Sequence, residues 1–487
     1  MRLSARLCAV AALAGLAYFA AGSISTAQVQ PVTAGQVIIS ELRYRGPNGI
    51  RDEFVEIYNN TDSPITVQAI DASAGWGLAA SDGNINATFC VIPNGTVIPA
   101  RGHFLCANLD PDFGSGYSLS QYPSGSPSLP VAAVPTAAAQ SPEAAAVLPP
   151  QFLPTSHDAA YTIFDDVPDG FGIALFTTAS TANQNAATWL DAFGFTQSPA
   201  LFKEGNGFPT IPSTNNEHTL YRDLRQGKPK DTNDNAADFR FVATTGSIQT
   251  QLNGAPGPEN LRSPVVNNDQ ISLFLLDPAV SSASLPNRER TSNVEPNADL
   301  GTLLVRRRFQ NNTGQNVTRL RFRIVNFTTR GTPPSECGGT PCADLRALTS
   351  DDADAGDPGH LVATSAGSVT VRGVRLEDNP PITPGGGGLN SSLSADYINM
   401  ATPLLPGNSV NIEFKLGIMT HGPFRFIINI EAQTAPAGPV IVAPTNRLSA
   451  KSTVKGVRKV PSAPAAKTPA TRAPSKLAGK LAGKLIQ

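Results

Sequence analysis

The chain is poor in the residues from which catalytic and metal sites are most often built. Its 487 residues include five histidines, five cysteines, three methionines and two tryptophans, and charged side chains make up only 15%. There is no HExxH pair, GxSxG elbow, phosphate-binding loop or dinucleotide-binding glycine fingerprint. His103, His157, His218, His360 and His421 are scattered without ligand spacing. The signatures of the common metalloproteases, α/β-hydrolases, nucleotide triphosphatases and dehydrogenases are thereby excluded. Long Ala/Leu/Glu/Lys runs of the kind that make helices are also missing, whereas Gly and Pro occur 42 times each, which points to strands and turns. Beyond the N-terminus no apolar run approaches the roughly 20 residues that span a bilayer.

What is present begins with "MRLSARLCAVAALAGLAYFAAGSISTAQ". Arg2 and Arg6 precede an apolar run from Leu7 to Ala21, and Ser25-Thr26-Ala27 follows as a small-x-small cleavage site. Residues 1–27 read as a secretory signal, so the mature protein is expected to be exported: secreted, extracellular or at the cell surface. Cys8 lies at the start of the apolar run, away from the cleavage site, which argues against a lipid anchor. The remaining Cys90, Cys106, Cys337 and Cys342 are even in number in a chain bound for an oxidising compartment. Two local disulfides are the economical reading, Cys90 with Cys106 across a pair of strands and Cys337 with Cys342 around a small loop. A zinc site is the competing reading, opposed by the distance between the two pairs.

From Val37 to about Asn260, short alternating runs are separated by Gly, Pro, Asn and Asp turns, as in a β-sandwich. In "EFVEIYN", Val55 and Ile57 share one face and Phe54, Glu56 and Tyr58 the other, which predicts a half-buried strand. Residues 118–156 break the pattern with dense Pro and Ala and almost no charge, and read as an unpacked insertion. A second unit, 269–434, contains "VTRLRFRIVNF", where Leu320, Phe322 and Ile324 alternate with Arg319, Arg321 and Arg323, and "PFRFIINIEA", where Phe424, Phe426, Ile428 and Ile430 share a side. Its loops "GTPPSECGGTPCADL" and "NPPITPGGGGLNSS" are expected to be exposed. Arg307 shares parity with Val305 and Phe309, which predicts a bulge or strand end there. Residues 254–268 are open to two readings, a hinge or a packed corner.

Residues 446–487 differ from the rest, with ten Lys or Arg and no Asp or Glu. A total charge of −1 therefore leaves −11 on the remainder, an acidic body joined to a disordered basic tail.

The run "VIISELRYRG…DEFVEIYNNTDSPITV", followed in order by "TVIPARGHFLCAN", "DGFGIALF", "LDAFGF" and "EHTLYRDL…DTNDNAADFRFVATTGS…NGAPGPEN", resembles the secreted bacterial branch of the lamin-tail domain family over residues 37–262. The resemblance implies an immunoglobulin-like sandwich without catalytic residues, in which Glu41 and Glu56 are structural carboxylates that pair across the first hairpin or with nearby backbone donors. The insertion at 118–156 departs from the compact family pattern. The second unit is similar to an uncharacterised sandwich of exported bacterial proteins. The expected architecture is mainly β: two immunoglobulin-like β-sandwiches in tandem, then the tail.

Three groups of residues offer binding chemistry. Asp231, Asn233, Asp234, Asn235 and Asp238 in "DTNDNAADF" present oxygen donors suited to calcium, although Asn/Asp clusters also make ordinary turns and the glycine and terminal glutamate of an EF-hand are absent. Asp351, Asp352, Asp354 and Asp357 in "DDADAGDPG" carry the same two readings. Arg306, Arg308, Arg319, Arg321 and Arg323 form either a polyanion surface or a solvated face paired with Glu377, Glu413 or Glu431. Lys451, Lys455, Arg458, Lys459, Lys467, Arg472, Lys476, Lys480 and Lys484 in the tail suit non-specific attachment to an anionic envelope polymer, lipid headgroups or DNA, or simple solubilisation. The tail has no aromatic residue to stack on bases. The expectation is a non-enzymatic exported binding module with no cofactor other than possible calcium. The alternatives are a polyanion-binding protein and a calcium-dependent hydrolase.

Overall fold

The computed structural model describes residues 31–47, 49–109, 158–162, 167–244, 252–377, 386–435 and 484–485. The expected signal segment 1–27, residues 118–156 and all of the basic tail except Lys484 and Leu485 lie outside them. The described chain is mainly β. No helix among the described residues is long and apolar enough to cross a membrane.

Two pairs of sheets account for most of the strands. A seven-stranded sheet has the order Leu252–Asn253, Phe239–Ala243, His218–Arg222, Val37–Arg43, Phe54–Asn59, His103–Leu109, Ala159–Thr162. A four-stranded sheet, in the order Trp189–Phe193, Gly172–Phe176, Gly75–Ser81, Asn86–Pro93, packs against it. Phe193 of the smaller sheet meets Phe239 of the larger edge to face at 4.6 Å between ring centroids. The Cys90–Cys106 disulfide also joins the two, with Cα atoms 6.6 Å apart. It therefore ties sheet to sheet, whereas the sequence suggested neighbouring strands: Cys90 pairs its strand with Gly75–Ser81 and Cys106 pairs with Phe54–Asn59.

The second pair comprises a six-stranded sheet, with Asn316–Phe327 and Phe426–Ala435 at its centre, and a five-stranded sheet built on Thr302–Asn311 and Ser409–Thr420. Their core is aromatic and interleaved. Phe309 and Phe414 come from one sheet, Phe322 and Phe426 from the other. Phe322 lies 4.7 Å from Phe309 and 5.1 Å from Phe414, and Phe414 lies 5.5 Å from Phe426. Leu320, Phe322, Ile324, Ile428 and Ile430 are fully buried there, as the period of two requires. Cys337–Cys342 closes its loop with Cα atoms 5.5 Å apart, and that loop is largely exposed.

Several sequence expectations are corrected. The strand Phe54–Asn59 is buried on both faces, because the face bearing Glu56 is covered by other parts of the chain. Arg307 marks neither a bulge nor a strand end. The pairing from Thr302 to Gln310 runs unbroken against Ser409 to Gly417, and the inward guanidinium donates to the carbonyls of Asn287 and Arg306 at 3.1 and 2.8 Å. Of the loop "NPPITPGGGGLNSS", residues 387–392 are buried, and a Cβ on Gly388 would fall 2.3 Å from the Asn253 carbonyl oxygen. Glycine is used there for close backbone approach. The first seven residues of that loop, 379–385, lie outside the described residues. Finally, residues 254–268 form a packed corner: Val265 and Val266 pair with Ala432 and Glu431, and several earlier amides in the segment donate to buried carboxylates.

Candidate functional site: a buried charge network

Glu41 and Glu56 occupy opposite positions in the first hairpin. Such a pair of acids is unfavourable unless cations or donors are brought to it. The next strand brings His103, whose Nδ1 lies 2.9 Å from Glu56 Oε1 and whose Nε2 lies 3.0 Å from Glu259 Oε2. Glu259 belongs to the strap that follows the seven-stranded sheet. Its amide donates to Glu56 Oε2 at 2.6 Å, and the Gly257 amide donates to Glu41 Oε1 at 2.9 Å. Asn390 completes the arrangement with Nδ2 3.1 Å from Glu41 Oε2.

The cations come from the arginine face of Asn316–Phe327. Arg321 and Arg323 are each only 2% exposed, so this face is not solvated. Arg321 pairs with Glu259 and, at 2.6 Å, with Glu431; Arg323 lies 3.2 Å from Glu259 and donates to the Gly257 and Asn390 carbonyls at 2.9 and 3.0 Å. Farther along, Glu377 receives Arg319 at 3.0 Å and lies 3.6 Å from Arg321. Arg306, on the other sheet, pairs with Glu413 at 2.6 Å and Glu289 at 2.7 Å. Arg308 alone of the five is exposed, stacked on Phe274 at 4.9 Å. The acids anticipated as strand partners do pair with these arginines. Of the two readings of this face, the polyanion surface fails for Arg306, Arg321 and Arg323, because protein covers them.

The electrostatics follow from crowding without water. Burial pushes the Glu41 carboxyl up to about 7, with the Glu56 charge adding to the rise and Arg323, the Gly257 amide and Asn390 opposing it. Glu377 goes the other way: burial would raise it, but Arg319, Arg321 and Ser394 prevail and hold it at about 2. Burial also raises Asp158 to about 7 against the amides of Leu105 and Leu261, each donating to it at 2.9 Å. Beside the network, a cavity of about 30 Å³ bordered by Glu56, His103, Glu259 and Arg323 has room for roughly one or two waters.

A second buried cluster surrounds Arg222. Its Nη2 lies 2.8 Å from both Asp191 and Glu204, its Nε donates to the Ile39 carbonyl at 2.8 Å, and its guanidinium sits 4.8 Å over Phe239. Burial and the Asp191 charge raise Glu204 to about 9, which keeps one proton within the acid pair. The "DTNDNAADF" residues are placed around this cluster. Asp238 accepts from the Thr232 amide and hydroxyl at 2.6 Å each, and Asp231 lies 3.5 Å from Arg222. Asp234 caps the short helix Asn235–Asp238 through the Ala236 amide. Asn235 bonds Gly194, Glu204 and Ala192, and Asn233 takes the left-handed conformation at φ +58°. Asp234 and Asp238 thus bond their own turn, Asp231 and Asp238 lie beside the guanidinium, and Asn235 Oδ1 accepts from the Gly194 and Glu204 amides. In the "DDADAGDPG" loop, Asp352 pairs with His360 and Asp351 with Lys415.

Sequence reasoning did not single out His103, Glu259, Asp191, Glu204 or Arg222. The signal that could have found Asp191 and Arg222 is a lone charge inside an apolar strand run, as in "TWLDAFGF" and "HTLYR", because such a charge is buried only with a partner. The disulfide cysteines are brought together as described. The tail lysines and arginines 451–480 lie outside the described residues, while Lys484 and Leu485 pair with Ile428 and Ile427. No protein-family model, curated protein or solved structure matches the chain.

Proposed function

We propose that this chain is an exported, non-enzymatic binding module of the lamin-tail type, retained at an anionic surface by its cationic tail. The observation that carries the reading is the closure of Glu56, His103 and Glu259 by Arg321 and Arg323. This is the constellation that most resembles acid–base machinery, yet both imidazole nitrogens face carboxylates of the same chain and the cations come from a neighbouring sheet. Its carboxylates hold the chain to itself, in keeping with the structural role that the family resemblance gives Glu41 and Glu56. The two stacked sheet pairs support reading each as an immunoglobulin-like sandwich. The disulfides and the signal-like N-terminus support export.

The test is co-sedimentation of the mature chain, with and without residues 446–487, against envelope fragments and against DNA across a salt series. Binding at low salt that is released at high salt and lost on truncation supports tail retention. Equal binding by both forms moves recognition to the folded part, and absence of binding by either removes the retention reading. A screen of esterase, phosphatase, nuclease and glycosidase substrates, run with calcium and with chelator, tests the non-enzymatic part; turnover above background would sink it.

A further inference from the structure

The strand Arg288–Arg290 pairs at the edge of the five-stranded sheet, with Arg288 opposite Val305 and Arg290 opposite Leu303. Paired residues project from the same face, so the two arginines stand on the side of the sheet that carries the core residues Leu303 and Val305. Glu289 projects from the other face, towards Arg306. Beneath the arginines lies a groove of about 290 Å³ whose floor includes Leu303, Leu345, Ile418 and Phe424. Its rim carries Arg288, Arg290 and His421, and among the described residues no acid lines it. The Arg288 guanidinium lies 5.7 Å from the Phe424 ring centroid, and Arg290 Nη2 lies 3.3 Å from His421 Nε2.

Nearby arginines are neutralised: Arg306 by Glu289 and Glu413, Arg346 by Asp344, Arg425 by Glu336. Among the described residues neither Arg288 nor Arg290 has a carboxylate partner. The local excess of positive charge is felt within the sheet, where burial and then the Arg288 charge lower Arg307 to about 10.

From this charge complementarity we infer that the groove binds a small amphipathic carboxylate, its acyl or aromatic body on the Leu303–Ile418–Phe424 floor and its carboxylate on Arg288 and Arg290. The shape fits this class. A concave site of a few hundred Å³ with an apolar base and a few convergent polar groups suits a small ligand, and guanidinium forks match carboxylate geometry. The inference goes beyond the proposed tail attachment and stands whether or not residues 446–487 engage a surface.

The experiment is calorimetric titration of the full-length chain with octanoate and phenylacetate, each beside its methyl ester, and with octylamine. The acids are expected to bind, with the esters at least about tenfold weaker because the charge-assisted bonds are lost, and the amine not at all. R288Q/R290Q should weaken acid binding by about tenfold or more, and R308Q, away from the groove, should leave it unchanged. Ala283→Trp, which fills the groove from its exposed lip and keeps every charge, should abolish binding. Because wild type and variants carry the same tail, their difference belongs to the groove. Esters binding as well as acids, R288Q/R290Q or Ala283→Trp binding as wild type, or no binding up to about 10 mM would overturn the assignment.

Discussion

Glu41 and Glu56 face each other across the first hairpin, and each acquires backbone donors from the strap that follows the seven-stranded sheet. Gly257 donates to one and Glu259 to the other. Two like charges side by side in a hairpin would push the strands apart; here the strap and the arginines behind it turn the same pair into an attachment point. The predictions below test that arrangement.

Glu41 binds a proton more readily in the folded chain, near pH 7, than in the unfolded chain, near 4.5. Its effect on stability is most favourable at low pH and is lost as the pH rises through that window. Glu41→Gln, which keeps a neutral side chain, should therefore gain stability relative to wild type between about pH 5 and 8, by up to about 3 kcal/mol. Urea unfolding at the two pH values measures the difference; an unchanged gap would contradict the buried, neutral state of Glu41.

Glu377 has the opposite sign. Its folded carboxyl titrates at about 2, below the ordinary 4.5, so its contribution is fully present above about pH 4.5 and is lost as the pH falls towards 2. Glu377→Gln should cost about 3 kcal/mol at neutral pH and progressively less below pH 4. Thermal melts of the two chains across that range should converge at the acid end.

Removing one member of a desolvated pair leaves the other uncompensated. Arg321→Met should destabilise the chain by about 3–5 kcal/mol, and adding Glu259→Leu and Glu431→Leu should destabilise it further, because both acids also face the buried Arg323 and Glu259 faces His103. Chemical denaturation of the single and triple variants decides the point. A triple variant as stable as the single, or more so, would mean that Arg323 and His103 do not depend on these two acids.

Reduction should separate the two disulfides by loop length. Replacing Cys90 and Cys106, 16 residues apart, by Ala should cost about 3 kcal/mol, and replacing Cys337 and Cys342, five apart, about 2 kcal/mol. Melting temperatures of the two double variants give the order, and a reversed order would contradict the loop-closure account.

The fold was legible wherever side-chain periodicity meets a core. The alternation in "RLRFRIVNF" located the strand and its buried Leu320, Phe322 and Ile324. The same alternation placed the arginines on the other face but could say nothing of what lies against it. Their covering acids, Glu259 and Glu431, are 62 and 110 residues from Arg321 in sequence. Pairing at that distance leaves no local spacing to read. Strand period likewise placed Glu56 with Phe54 and Tyr58 on one face of a half-buried strand, whereas both faces are buried and Glu56 is covered by His103 and the strap. The Arg222 cluster draws single residues from positions 191, 204, 231 and 238; the local Asp/Asn run drew attention to 231 and 238, but no spacing joined them to 191, 204 or 222. The groove under Arg288 and Arg290 was invisible for a related reason: its floor comes from four separate segments of the second sheet pair.

The dependence of Arg321 and Arg323 on Glu259 bears on how the chain is divided for study. A fragment beginning at residue 269 would retain Glu431 but lose Glu259 and the Gly257 carbonyl, and it would present to solvent a basic surface that the intact protein does not possess. Such a fragment would bind DNA and other polyanions through a face created by the cut, and its affinity would be mistaken for a native activity.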